Sequence, residues 1–201
     1  LKNTLIQGVC CCALLSTGAS AMQPSIKIYD INYAGSGCPK GSVSVSMTPN
    51  KGAINAVFDR FYASLSNKQG QQVKRCKLSM SIQVPKNKRV RLRQVRFRGF
   101  YELPANAYTK FVRNYRFGSK TKQVNRTLQG KGFRVINQRE PFNTSWERCG
   151  KNVRLQVDSM IELKSRSDNS SQVGIDSFDQ LMKRNYRGER GWKFILDFTP
   201  C

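Results

Sequence analysis

The 201-residue chain contains no histidine. Histidine is the usual general base behind a serine or cysteine nucleophile and the one side chain that ordinarily titrates near neutrality. Its absence removes Ser-His-Asp and Cys-His catalysis, histidine–metal centres and histidine pH sensing. No Cys-x-x-Cys pair occurs either, so the cysteines do not read as a zinc site, and no metal and no cofactor are expected. Acids are scarce: 12 Asp and Glu stand against 35 Lys and Arg, a formal charge of +23. Beyond the first 21 residues no apolar run approaches the roughly 20 residues of a membrane helix, and there is no internal repeat, heptad or low-complexity tract.

The opening stretch has three parts. Lys2 supplies a short positive region, Leu5–Leu15 a short apolar region, and Ala19-Ser20-Ala21 a small-x-small cleavage site. This predicts a signal peptide over residues 1–21, with Met22 as the mature N-terminus. A membrane anchor is the rival, but the run is too short for a bilayer of about 30 Å. A lipoprotein is a second rival through Cys10–Cys12, disfavoured by Val9 and the early position. A leucine in first place hints at an alternative bacterial start codon. The expected location is secreted or extracellular, with periplasm and cell surface as variants. The remaining 180 residues would carry +22 and four cysteines: Cys38, Cys76, Cys149 and Cys201. In an exported protein these read as two disulfides. Three connectivities are open, and the sequence-local one, Cys38–Cys76 with Cys149–Cys201, is preferred.

Lys86–Tyr101 alternates apolar and basic residues, the pattern of a strand with one buried face. Val90 and Leu92 set one phase, and Val95, Phe97 and Tyr101 another. A β-bulge at Arg93–Gln94 would absorb the slip. With it, Arg89, Arg91, Arg93, Arg96 and Arg98 project from one face. Like charges so close cost stability unless solvent, counterions or a partner screens them. From Lys86 to Arg134 there are fifteen Lys and Arg against one acid, Glu102. The candidate polyanion-binding residues are these five arginines with Lys86, Lys88, Lys110, Arg113 and Arg116; Lys120 and Lys122 lie nearby.

The rest reads as short strands and turns. Val43, Val45 and Met47 alternate before the Thr48–Gly52 turn, and Ile54–Phe58 returns as a hairpin. Cys76–Val84 is the next strand, and Pro85–Lys88 is expected to fold it back on the basic strand as a second hairpin. Tyr108–Phe117 alternates with Phe111, Tyr115 and Phe117 inward, broken at Val112 and Arg113. Phe133–Asn137, Val153–Leu163 and Trp192–Phe198 are further strands, and Asp176–Tyr186 has the spacing of one short helix. The expected fold is all-β: an antiparallel β-sandwich, jelly-roll-like, with two disulfides and at most one short helix. A lead-in over 22–34, with an edge strand at Ile26–Ile31, would precede a single domain over 35–201.

Carboxylate chemistry is the catalysis that histidine's absence leaves open. Asp176 with Asp179, Asp158 with Glu162, and Glu102 beside the basic strand are the available acids. A glycosidase needs two carboxyls facing across a cleft, a geometry that sequence proximity does not supply. Glu102 as a nuclease base is set against its simpler reading as a neutraliser of a neighbouring arginine. No RRM, KH or zinc-finger pattern is present, so sequence-specific nucleic-acid reading is not expected. Asn125-Arg-Thr127, Asn143-Thr-Ser145 and Asn169-Ser-Ser171 match glycosylation sequons.

Several segments together resemble a known family. They are Gly35-Ser-Gly-Cys38-Pro-Lys-Gly-Ser-Val43, Phe58-Asp59, Cys76-Lys-Leu78, Arg98-Gly-Phe-Tyr-Glu-Leu103, Trp146-Glu-Arg-Cys149-Gly150, Asp176-Ser-Phe-Asp179 and Cys201. The chain is similar, from about Gly35 onward, to the secreted family catalogued as domain of unknown function 4360, found in bacteria and fungi. The resemblance implies export and a disulfide-bonded all-β domain, and it implies no catalytic residues. Pro85-Lys86-Asn87 and Pro104-Ala105-Asn106 depart from the family's glycine-bearing turns, and the arginine-rich strand is a peculiarity of this member.

The leading expectation is a secreted, non-enzymatic binder of anionic polymers (nucleic acid, acidic polysaccharide or lipopolysaccharide) or of an anionic lipid surface. No specific protein partner is inferred. The alternatives are a carboxylate-based hydrolase acting on an acidic polymer and a structural envelope or matrix protein. Facing carboxylates in a cleft favour the first alternative, and charge scattered over the whole fold favours the second.

Overall fold

The computed structural model describes residues 25–67, 69–175 and 191–201. Among them are twelve strands and no helix. In chain order they begin β1 (Lys27–Ala34), β2 (Val43–Met47), β3 (Ala53–Phe58), β4 (Tyr62–Leu65), β5 (Gly70–Gln83) and β6 (Lys88–Leu103). They continue β7 (Ala107–Phe117), β8 (Lys120–Gln129), β9 (Gly132–Pro141), β10 (Val153–Ser165), β11 (Ser171–Gly174) and β12 (Trp192–Pro200). Two antiparallel sheets result. The five-stranded sheet runs β1-β5-β10-β7-β8; the seven-stranded sheet runs β2-β3-β12-β6-β11-β4, with β9 on the other side of β6.

Period-two alternation builds the sandwich. Leu78, Met80 and Ile82 of β5 and Leu155, Val157, Ile161 and Leu163 of β10 are buried against the inner residues of the opposite sheet. Trp192 is fully buried at the centre of an aromatic cluster, with ring centroids 5.1 Å from Phe58, 6.1 Å from Phe97 and 6.4 Å from Tyr115. Edge-to-face and tilted rings at such spacings add to the burial of their area. The sequence-local disulfides are formed: Cys38–Cys76 ties the segment before β2 to β5, and Cys149–Cys201 ties the segment after β9 to the end of β12.

The β2–β3 hairpin forms as expected. The second hairpin does not. β5 pairs with β1 and β10 in one sheet, whereas β6 pairs with β12, β11 and β9 in the other. Pro85, which has no amide hydrogen for a ladder, lies in the short link that carries the chain between sheets. Two alternating strands around a tight turn satisfy their apolar faces equally well across a core as within a sheet, so the pattern does not separate the two outcomes.

β1 contributes an edge strand, so the folded body includes residues of the expected lead-in. β8 and β11 form where the sequence pattern points to turn and polar loop. β8 follows β7 through a two-residue turn in which Gly118 has φ +56°, a left-handed conformation that glycine adopts without a Cβ clash. The short helix expected at Asp176–Tyr186 lies outside the described residues.

Candidate functional site

β6 carries the bulge that its phase slip requires. Ile195 of β12 faces Gln94 and Leu196 faces Leu92, which leaves Arg93 as the extra residue. Val90, Leu92, Val95 and Phe97 are buried as a result. Arg89, Arg91, Arg93, Arg96 and Arg98 occupy the opposite phase, the outer face of the seven-stranded sheet.

Pairing adds two cations to the stripe. Arg139 of β9 and Lys193 of β12 stand directly opposite Arg96 on either side, so one cross-strand row reads Arg139, Arg96, Lys193. Like charges in such register are destabilising. Beside this row lies a cavity of about 60 Å³ lined by Arg96, Arg98, Arg139, Lys193 and Asn137. Further along the strand Trp146 backs the stripe: the guanidinium carbons of Arg91 and Arg89 lie 4.7 and 5.4 Å from its ring centroid. Cation–π contact of this kind holds arginine forks in place. The segment carrying Trp146 is itself fixed to β6, with the amides of Thr144, Glu147 and Gly150 donating to the carbonyls of Leu92, Val90 and Lys88.

Acids reach this face at two described positions: Glu102, in the same phase at the end of β6, and Asp197, within the stripe. Asp197 of β12 accepts from Arg91 Nε at 3.0 Å and lies 2.9 Å from its Nη2 and 3.1 Å from Arg93 Nε. One carboxylate between two guanidiniums leaves an excess of positive charge and orders both forks. These pairs are partly exposed, so each contributes at most about 1 kcal/mol to stability. Asp197→Asn should therefore leave the fold intact and raise affinity for heparin about fivefold, the effect of removing roughly 1 kcal/mol of repulsion toward an anion. Titration at fixed ionic strength checks this.

The other candidate residues fall elsewhere. Lys86 is exposed in the β5–β6 link, and Lys88 is half-buried at the start of β6, opposite Pro200. Lys110 and Arg116 are on the outer face of the five-stranded sheet, across the sandwich from the stripe. Lys122 turns toward β9 and donates to the Pro141 carbonyl; Lys120 is exposed at the start of β8.

Arg113 corrects the sequence reading. It is fully buried and belongs to no surface. β7 alternates without a break, with Val112 outward and Arg113 inward. Arg113 Nη2 lies 2.5 Å from Glu140 Oε1, Tyr115 Oη donates to Glu140 Oε2 at 2.8 Å, and the guanidinium carbon is 4.1 Å from the Phe97 ring centroid. The group joins β7 of one sheet to β9 of the other.

Burial, reinforced by the adjacent Glu140 carboxylate and against the opposing pull of Arg113, holds the Tyr115 phenol well above its ordinary value of 10.0. The native state thus retains a proton that the unfolded chain releases near pH 10. Its stabilisation is complete below that pH and is lost as pH rises toward the folded pKa. The urea midpoint should therefore fall more steeply between about pH 9 and pH 11 for wild type than for Tyr115→Phe.

The acids do not converge among the described residues. Asp158 and Glu162 are four residues apart on β10, about 13 Å by strand rise, wider than the roughly 5–9.5 Å of glycosidase pairs. Asp158 lies 3.9 Å from Lys77 Nζ, and Glu162 accepts from Gln71. Glu102 accepts from Gln172 Nε2 at 2.8 Å. Asp176 and Asp179 lie outside the described residues. The sequon residues Asn125, Asn143 and Asn169 are all exposed.

Three similarities bear on this chain. A protein of Arthroderma benhamiae described as an uncharacterized secreted protein is 24% identical over 178 residues, covering 83% of this chain and 72% of its own. The solved structure of TmCBM61 in complex with beta-1,4-galactotriose aligns over 86% of this chain and 89% of its own, at 9% identity and a TM-score of 0.29. Residues 24–189, most of the chain, match a family model, and the chain belongs to the family described as Domain of unknown function (DUF4360).

Proposed function

We propose that the protein is an exported, non-catalytic binder of anionic polymers that uses the outer face of the seven-stranded sheet around β6. Its setting is extracellular: the leader pattern, two disulfides and a secreted relative all agree with export. The observation that carries the reading is the gathering of Arg89, Arg91, Arg93, Arg96 and Arg98 on one face of one bulged strand, with Arg139 and Lys193 in register beside them. Arginine forks match the paired oxygens of phosphate, sulfate and carboxylate groups. Several guanidinium groups on one strand face present a multivalent surface along which the repeated charges of a polymer can lie. Tyr62 and Val135 are exposed on the same face, in the cross-strand row of Phe100, so an anionic lipid surface is tested beside the polymers.

The test is binding of the purified protein to heparin, duplex DNA, RNA, lipopolysaccharide and anionic liposomes at low and high salt. Retention of polymers with a log–log salt slope of roughly −3 to −5 on DNA, about −0.9 per phosphate contacted, supports the reading. Retention by liposomes alone would replace the polymer with a lipid surface. No salt-sensitive binding to any of the five would leave the face without a ligand.

A further inference from the structure

The opposite face of the sandwich carries a second feature, independent of the basic stripe. A trough of about 840 Å³ crosses the five-stranded sheet at right angles to its strands. Its floor is the backbone of one cross-strand row: Tyr33, Leu78, Val157, Tyr115 and Lys122. One wall is the next row outward-facing, Asn32, Ser79, Gln156, Arg116 and Thr121. The other wall is the row on the far side, Lys77, Asp158, Asn114 and Gln123, with Ala34 at its end. The walls are two residues apart along each strand, about 7 Å, and the trough spans four strand gaps, about 19 Å. It reaches both edge strands, so a chain longer than the sheet is wide could enter at β1 and leave at β8.

The walls differ in chemistry from the stripe. Lys77 and Arg116 are set against Asp158, and the other wall positions apart from Ala34 are amides or hydroxyls. Gln156, Asn114 and Gln123 make no side-chain hydrogen bond to the described residues. A primary amide offers donor and acceptor in one plane, and a carboxylate accepts twice. A ligand that both donates and accepts at regular intervals satisfies such walls; the ionised groups of a polyanion only accept. The lining presents no large exposed apolar side chain on which an apolar peptide could anchor. We infer that this trough binds a neutral polysaccharide chain, laid across the strands with its hydroxyl groups between the two rows.

The experiment screens the purified protein on an array of neutral oligosaccharides of six or more units, then measures the retained glycans by calorimetry at low and high salt. Wild type should retain at least one, with affinity unchanged by salt. N114A/Q156A, which removes one amide from each wall, should lose about thirtyfold, the worth of two hydrogen bonds of roughly 1 kcal/mol each. Both side chains point to solvent, and an unchanged Tm confirms the fold. R89A/R91A/R93A should bind the same glycan as wild type. Failure to retain any neutral glycan, equal binding by N114A/Q156A, or binding lost with salt or in the arginine variant would each overturn the inference. None of these outcomes depends on whether the basic face binds polyanions.

Discussion

Replacing Arg89, Arg91 and Arg93 together with alanine should lower affinity for heparin and duplex DNA about a hundredfold. Each cation held against an anionic surface contributes on the order of 1 kcal/mol, so three remove about 3 kcal/mol, roughly two powers of ten in Kd. The log–log salt slope on duplex DNA should become shallower by about 2.7, three contacts at about 0.9 each. Asp197 sharpens the effect. In the wild type it lies between Arg91 and Arg93; in the variant its charge is left facing the incoming anion. The three side chains point outward from a strand whose inner face is unaltered, so the protein should still fold. A lysine version at the same positions keeps the charge and loses the forks. It should recover most of the salt-dependent affinity and less of the discrimination for paired oxygens. Gel shift and calorimetry across a salt series check all three proteins. An alanine variant that binds as wild type does would remove the strand from the account.

Glu140→Leu should destabilise the fold by about 3–5 kcal/mol, because it leaves the Arg113 guanidinium charged and fully buried with its carboxylate gone. For a chain of this size that is roughly a 6–20 °C fall in Tm. Tyr115, whose hydroxyl donates to the same carboxylate, loses its acceptor as well. The companion variant R113M/E140L removes both charges and fills the space with apolar atoms. It should be near neutral or more stable than wild type, since a buried ion pair repays its desolvation poorly. Arg113 lies over Phe97, an inner residue of β6, so the network bears on the strand that carries the stripe. Heparin affinity at a temperature where both variants are folded should be unchanged, which separates a packing role from a binding one. Thermal unfolding of the single and double variants checks the pair. A single variant as stable as the double would show that the buried charge costs little.

How much of this was legible follows from which interactions are local. The bulge at Arg93 could be read because the apolar phase of β6 slips within one strand, and a strand cannot bury both phases without an extra residue. The disulfide pairing followed from sequence nearness. Arg113 could not be placed, because Val112 beside it is apolar and the eye gives the inner face to valine; only the register of β7 with β10 and β8 shows otherwise. Arg139 and Lys193 were missed because they come from strands about 43 and 97 residues from Arg96, and nothing in one sequence fixes non-local pairing. A signal for Lys193 did exist: it is the outward residue between Trp192 and Phe194. Trp146 sat in a family-like segment with no role attached, and its part in holding Arg89 and Arg91 depends on backbone bonds from its loop to β6. β8 escaped notice because an edge strand beyond the core need not alternate strongly, and its inner positions include Lys122 and Arg126.

Arginine-selective labelling with phenylglyoxal, read by peptide mass spectrometry with and without saturating heparin, locates the bound anion residue by residue. The account predicts protection of Arg89, Arg91, Arg93 and Arg139, with Arg126, Arg154 and Arg166 labelled as in the free protein. Equal protection of all exposed arginines, or protection confined to those of the five-stranded sheet, would contradict it.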